Sequence, residues 1–143
     1  MIENHIHKQL LEIKDDLELF DNDLDKYEYI IDLGKNLEPF DTDDQKEENL
    51  VQGCTSKVWL ICEPKENKLY FKANSNAQIV KGLVYIIISL FSNLSAKEIL
   101  KTNSDILEEL NLSEIITPNR QSGVRGMLKR IKEYAHAFRE VSK

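Results

Sequence analysis

A chain of 143 residues with 41% apolar and 31% charged side chains has the make-up of an ordinary globular protein, long enough to bury a core without disulfide or metal support. Its net charge of −6 argues against the basic footprint of a nucleic-acid binder, and no apolar run approaches the roughly 20 residues that span a bilayer. Met1-Ile2-Glu3-Asn4-His5 lacks the basic and apolar regions of a secretion signal, so a cytoplasmic, reducing setting is expected.

Charge is segregated along the chain. Asp15 to Glu48 holds fourteen acidic residues against three lysines, whereas Thr117 to Lys143 holds seven basic residues against two glutamates. The basic stretch reads first as a solvated helix face and second as a surface for an acidic protein.

Ile2, Ile6, Leu10, Ile13 and Leu17 recur at helical spacing and predict a first amphipathic helix. Asp21-Asn22-Asp23 ends it and caps a second, whose buried face is expected from Leu24, Tyr27, Ile30, Ile31 and Leu37. Gly34 interrupts this helix or marks its last turn, and Pro39 cannot extend it. Glu38 to Asn49 is acidic and nearly free of apolar residues, which predicts an exposed loop. The period then changes. Val58-Trp59-Leu60-Ile61-Cys62 and Leu69-Tyr70-Phe71, separated by a turn over Glu63 to Lys68, predict a β-hairpin. Leu50-Val51 is expected to add a short third strand, which leaves Gln52 to Ser56 as the connection into the hairpin.

Asn74-Ser75-Asn76 offers N-caps for a mostly apolar run, Gln78 to Phe91, long enough to be a buried central helix rather than a strand. Ser95-x-x-Glu98 and Asp105-x-x-Glu108 resemble capping boxes for two short helices. Val124, Met127, Leu128, Ile131, Tyr134, Ala135 and Phe138 predict a last amphipathic helix, begun near Pro118-Asn119. The expected class is α+β: one domain over residues 1–143, with helices packed on a small antiparallel sheet of about three strands.

Two thiols are available to chemistry. If the chain between Cys54 and Cys62 is extended, about 3.3 Å per residue puts them roughly 26 Å apart, beyond the ~7 Å that a disulfide allows. Cys62 belongs to an apolar strand and reads as a small core residue. Cys54 follows Gly53, whose backbone freedom permits a projecting turn, and precedes the small polar Thr55 and Ser56. An accessible functional thiol and an incidental loop thiol both fit that context. A hydrolytic cysteine needs a histidine, yet His5, His7 and His136 sit in no motif. One accessible cysteine is too few for a structural zinc or iron–sulfur ligand set, so no metal is expected.

Four segments carry a resemblance to a known family. Val51-Gln52-Gly53-Cys54-Thr55-Ser56-Lys57-Val58-Trp59 is similar to the (V/I)-x-G-C-x-S-x-V-W motif of SufE-type sulfur acceptors. Ala77 to Leu83, Ala-Gln-Ile-Val-Lys-Gly-Leu, resembles the A-x-I-V-K-G-L stretch opening that family's central helix. Leu112 to Gly123, with Thr117-Pro118-Asn119-Arg120, resembles its L-T-P-S-R segment, and Tyr27 to Gly34 its Y-x-x-I-(I/L)-x-L-G helix. The resemblance runs in order from about Asp25 to Tyr134.

The resemblance implies a fold like that of the scaffold protein IscU, with the motif cysteine on a loop beside the sheet. It also implies a carrier and activator rather than an enzyme in its own right. Cys54 would accept sulfane sulfur from a SufS-type cysteine desulfurase, hold it as a persulfide and deliver it to the SufBCD scaffold for iron–sulfur cluster assembly. No bound cofactor is implied, and a homodimer is compatible. Gln52, Gly53, Thr55, Ser56, Trp59, Lys81 and Arg120 would form the loop and its partner contacts. Lys81 and Arg120 would bring positive charge towards the thiol or serve as ordinary structural cations, and Trp59 and Gly53 also have ordinary structural readings. Asn74-Ser75-Asn76 stands where relatives often carry aspartates, and Asn119 replaces a common serine. Two alternatives remain beside this one: a thiol-dependent redox protein using Cys54 with Cys62, and an IscU-like scaffold that would need further ligands.

Overall fold

Ile6, Leu10, Ile13 and Leu17 return to one side of helix α1 (Ile2–Glu18), and all four are buried. The apolar stripe therefore does what its spacing requires, and α1 lies against the central helix and the 3₁₀ turn Ile106–Leu110. These observations come from a computed structural model that describes residues 2–51, 56–103 and 106–141.

Asn22 caps α2 (Asp23–Gly34), its side-chain oxygen accepting from the Asp25 N–H at 2.8 Å. The buried face of α2 differs from the expected one. Leu24 is 66% exposed, whereas Ile30 is fully buried and Tyr27, Ile31 and Leu37 are partly so. Leu24 sits in the first turn and about 120° around the axis from Ile30, away from the helix that α2 packs on. That helix is α3 (Gln78–Phe91), and the two meet closely at glycines. A Cβ on Gly82 would stand 1.9 Å from the Ile30 carbonyl oxygen, and one on Gly34 would stand 2.7 Å from the Gly82 nitrogen.

The acidic segment after α2 contains two short 3₁₀ turns, Thr42–Asp44 and Glu47–Asn49. Strands β1 (Val58–Lys65) and β2 (Lys68–Ser75) then pair antiparallel, with Val58 opposite Ser75 and Lys65 opposite Lys68. Both are longer than the sequence pattern indicates. Glu66 and Asn67 have φ of 53° and 67°, the two positive values of a tight hairpin turn whose twist matches the strands. Pro64 fits inside β1 because its missing N–H faces away from β2. Its partner Leu69 spends its own N–H and C=O on Leu94 and Asn93 outside the hairpin. The anticipated third strand is reduced to a single bridge between Leu50 and Trp59.

Helix α3 begins after Ala77, not on a polar cap from Asn74 to Asn76. Ser75 instead ends β2, its hydroxyl donating to the Lys57 carbonyl at 2.7 Å and accepting from the Ala77 N–H. Helix α4 (Ala96–Lys101) carries the expected capping box of Ser95 and Glu98. The second anticipated box starts at Asp105, which lies outside the described residues; Glu108 belongs to the 3₁₀ turn. Helix α5 (Pro118–Val141) packs on α3, α4 and β1. Helices thus cover the face of the hairpin that presents Val58, Leu60, Leu69, Phe71 and Ala73 to the shared core. No helix among the described residues is long and apolar enough to cross a membrane.

Candidate functional site

The strand pairing continues one step beyond β1. Val51 N–H donates to the Val58 carbonyl at 2.9 Å, next to the Leu50–Trp59 bridge. The chain just before residue 52 is thereby held against the start of β1. Of the anticipated site residues, Gln52, Gly53, Cys54 and Thr55 lie outside the described residues. Ser56, Trp59, Lys81 and Arg120 are described, and they fall in three different places.

Ser56 and Arg120 meet. Arg120 Nη1 donates to Ser56 Oγ at 2.7 Å, joining residues 64 apart in sequence. Arg120 stands there because α5 starts at Pro118, with Thr117 Oγ1 accepting from the Arg120 N–H. The outgoing stem is tied further: the Lys57 carbonyl accepts from Ser75 Oγ at 2.7 Å and from the Asn76 N–H at 3.4 Å.

An apolar cleft opens at the foot of this stem. Val80, Leu83, Val84 and Ile87 line it from α3, Val124 and Met127 from α5, and Val58 from β1. Ser56, Asn119, Arg120 and Gly123 contribute its remaining walls. Its cavity volume is about 20 Å³, room for about one water-sized group. The α3 contribution repeats at 80, 83/84 and 87, one face of a helix that is apolar on nearly all sides.

Trp59 and Lys81 lie elsewhere. Trp59 alternates with Val58 and Leu60, so its ring lies on the opposite side of the sheet from the shared core, yet it is only 9% exposed. Lys81 follows Val80 by one residue, about 100° around α3, and its Cβ lies beside Gly34 instead of facing the cleft. Asn74 pairs across the hairpin with Trp59.

Cys62 is half-buried in β1 and packs against the core. Loss of hydration and, secondly, the neighbouring Glu63 carboxylate push its thiol up to about 11. Sequence reasoning missed Arg130. Its guanidinium donates to the Leu50 and Glu48 carbonyls from the middle of α5, and nothing in the sequence marks it out from its basic neighbours.

The family model for the SufE domain, described as Fe–S metabolism associated, matches residues 11–135. The chain belongs to the SufE family. An uncharacterized SufE-like protein of Rhizobium meliloti (strain 1021) is 39% identical over 129 residues, spanning 87% of this chain and 92% of its own length. Another, of Rhizobium etli, is 36% identical over 129 residues and spans 87% of each chain. A third, of Synechocystis sp., is 34% identical over 113 residues, covering 79% of this chain and 71% of the relative. The solution structure of a hypothetical protein from Thermus thermophilus superposes with a TM-score of 0.74. It is 15% identical, over 94% of this chain and 95% of that one, and shares the fold. The α+β architecture of helices on a small antiparallel sheet is thus that of a SufE-like protein, a family associated with iron–sulfur metabolism.

Proposed function

We propose that this chain is a single SufE-like domain that accepts sulfane sulfur on Cys54 from a SufS-type cysteine desulfurase and passes it, as a persulfide, to a SufBCD-type scaffold. The observation that carries the reading is the Val51–Val58 hydrogen bond, which ties together the chain on either side of Cys54, next to an apolar cleft lined by Ser56 and Val58. Cys54 is three residues from Val51, so covalent geometry alone keeps its Cα within about 10 Å of that stem. A thiol within reach of an apolar cleft would have a place to hold a reductant-sensitive cargo.

The chemistry is one displacement. The Cys54 thiolate attacks the outer sulfur of the donor's persulfide, a new S–S bond forms at Cys54, and the donor cysteine leaves as thiolate. One sulfur atom moves and no net oxidation occurs. The acceptor needs neither a bound cofactor nor a general base of its own, so it acts as carrier and activator by emptying the donor's cysteine. A cytoplasmic setting, in which thiols stay reduced, suits that exchange.

A redox pair with Cys62 is disfavoured by the register. Cys62 lies four residues along β1 from the Val58 stem, with its thiol held protonated. For the scaffold alternative, no three His, Cys, Asp or Glu side chains converge among the described residues.

The deciding experiment mixes the protein with a SufS-type desulfurase and cysteine. A gain of one sulfur mass on Cys54, lost in Cys54→Ser and kept in Cys62→Ala, is the expected result. No adduct and no stimulation of the desulfurase would remove the assignment.

A further inference from the structure

The chain entering and the chain leaving residues 52–55 are held unequally. The outgoing stem is held at Ser56 by Arg120 and at Lys57 by Ser75 and Asn76. The incoming stem, Glu48 to Val51, follows an acidic segment that has little apolar side chain to anchor it. Beyond the Val51–Val58 bond and the burial of Val51, the side chain that ties it to the core among the described residues is Arg130.

Arg130 uses both Nη groups of its guanidinium. Nη2 donates to the Glu48 carbonyl at 2.7 Å and Nη1 to the Leu50 carbonyl at 3.2 Å, across 82 and 80 residues of chain. The same group lies 5.4 Å from the centroid of the Tyr134 ring, one turn further along α5. Tyr134 is held in turn, its hydroxyl donating to the Leu60 carbonyl at 3.3 Å and its ring packing on Phe71. Leu60 is next to Trp59, the residue that pairs with Leu50. The guanidinium is therefore braced from below by β1 while it grips the segment paired with β1. A lysine in its place would offer a point charge, able to reach one carbonyl but not to span two and stack on the ring.

We infer that Arg130 is a positioning residue for the segment carrying Cys54, pinning the chain that enters it as Arg120 pins the chain that leaves it. A single element, α5, then holds the chain on both sides of residues 52–55. The inference deepens the sulfur-acceptor reading and rests on it for its functional meaning. The clamp itself can be measured without any desulfurase.

The test uses the full chain in a Cys62→Ala background, with Arg130→Ala and Arg130→Lys. Hydrogen exchange reads the Val51 amide against amides of α3, and alkylation by iodoacetamide reads Cys54. Arg130→Ala is expected to lower Val51 protection roughly tenfold while α3 amides keep theirs, and to raise the Cys54 alkylation rate severalfold. Arg130→Lys should recover less than half of either change. Parallel mass analysis with desulfurase and cysteine should show slower persulfide formation in Arg130→Ala. Unchanged Val51 protection and an unchanged alkylation rate overturn the clamp. So does a uniform loss of protection, α3 included, in both variants, since Arg130 would then serve the whole fold. A parent protein that never gains sulfur fails the sulfur-acceptor reading instead, and leaves the exchange and alkylation results standing as evidence on the clamp.

Discussion

At the scale of single residues the two thiols part company. Cys62 alternates into the core side of β1, where it loses hydration and sits next to Glu63, so its thiol is pushed up from 9.0 to about 11. Reactivity towards alkylating agents follows the thiolate. A rise of about two pKa units means that near pH 8 Cys62 carries about a hundredfold less thiolate than a free cysteine. In a Cys54→Ser variant, iodoacetamide should label Cys62 about a hundred times more slowly than it labels an unfolded peptide, the rate climbing until pH 11. Labelling at the peptide rate would contradict the burial. The same shift has a sign for stability. The folded protein holds this proton more tightly than the unfolded chain, so stability falls as pH rises from about 9 to about 11. Cys62→Ala should remove that part of the fall.

Among the elements, the crossing of α2 and α3 shows why one motif glycine is structural. Gly82 sits in the Ala77-to-Leu83 stretch, and a methyl group there would lie 1.9 Å from the Ile30 carbonyl. The obstacle is helix backbone, which cannot swing aside as a side-chain tip can. Gly82→Ala should therefore cost about 3 kcal/mol or more despite the better helix propensity of alanine, lowering Tm by roughly 10 °C. A Tm within about 2 °C of the parent, read by thermal denaturation, would show that the helices separate freely.

The elements also show what the sequence can reveal. Helices α1 and α5 were legible because their apolar residues repeat at the helical period over many turns, as at Ile6, Leu10, Ile13 and Leu17, and α3 because its apolar run is too long for a strand. The hairpin was legible in its centre and not in its length. Pro64 reads as a breaker until its partner shows that its N–H is not needed, and Lys72 to Ser75 carry no apolar run. Leu24 looks buried by spacing and is exposed by position. The pairing of Ser56 with Arg120 lay within two separate motifs, so both residues were visible though their contact was not. Arg130 was invisible, because it binds main-chain carbonyls 80 and 82 residues away, and any sequence supplies such acceptors.

For the whole molecule, the open question is how much of the chain the stable unit requires. The family match spans residues 11–135, and motif reading drew least from the first twenty residues. The packing gives the start of α1 a larger part. Ile6 and Leu10 are 1% and 0% exposed, and both belong to the one buried apolar cluster that also includes Leu83 and Leu107. Replacing a buried Ile or Leu by Ala costs about 2–5 kcal/mol, and two such sites one helical turn apart share part of that cost. Ile6→Ala combined with Leu10→Ala should thus remove about 5 kcal/mol, much of the roughly 5–15 kcal/mol that holds a domain folded. Leu11 is the internal control, since it adjoins Leu10 in sequence but is 52% exposed on the other side of α1. Leu11→Ala should change stability by no more than about 0.5 kcal/mol. Urea titrations of the three proteins decide the matter. A double variant within about 1 kcal/mol of the parent would mean that the first turns of α1 only rest on the core. The expected collapse would mean that the SufE-like unit in this chain depends on residues preceding the matched segment.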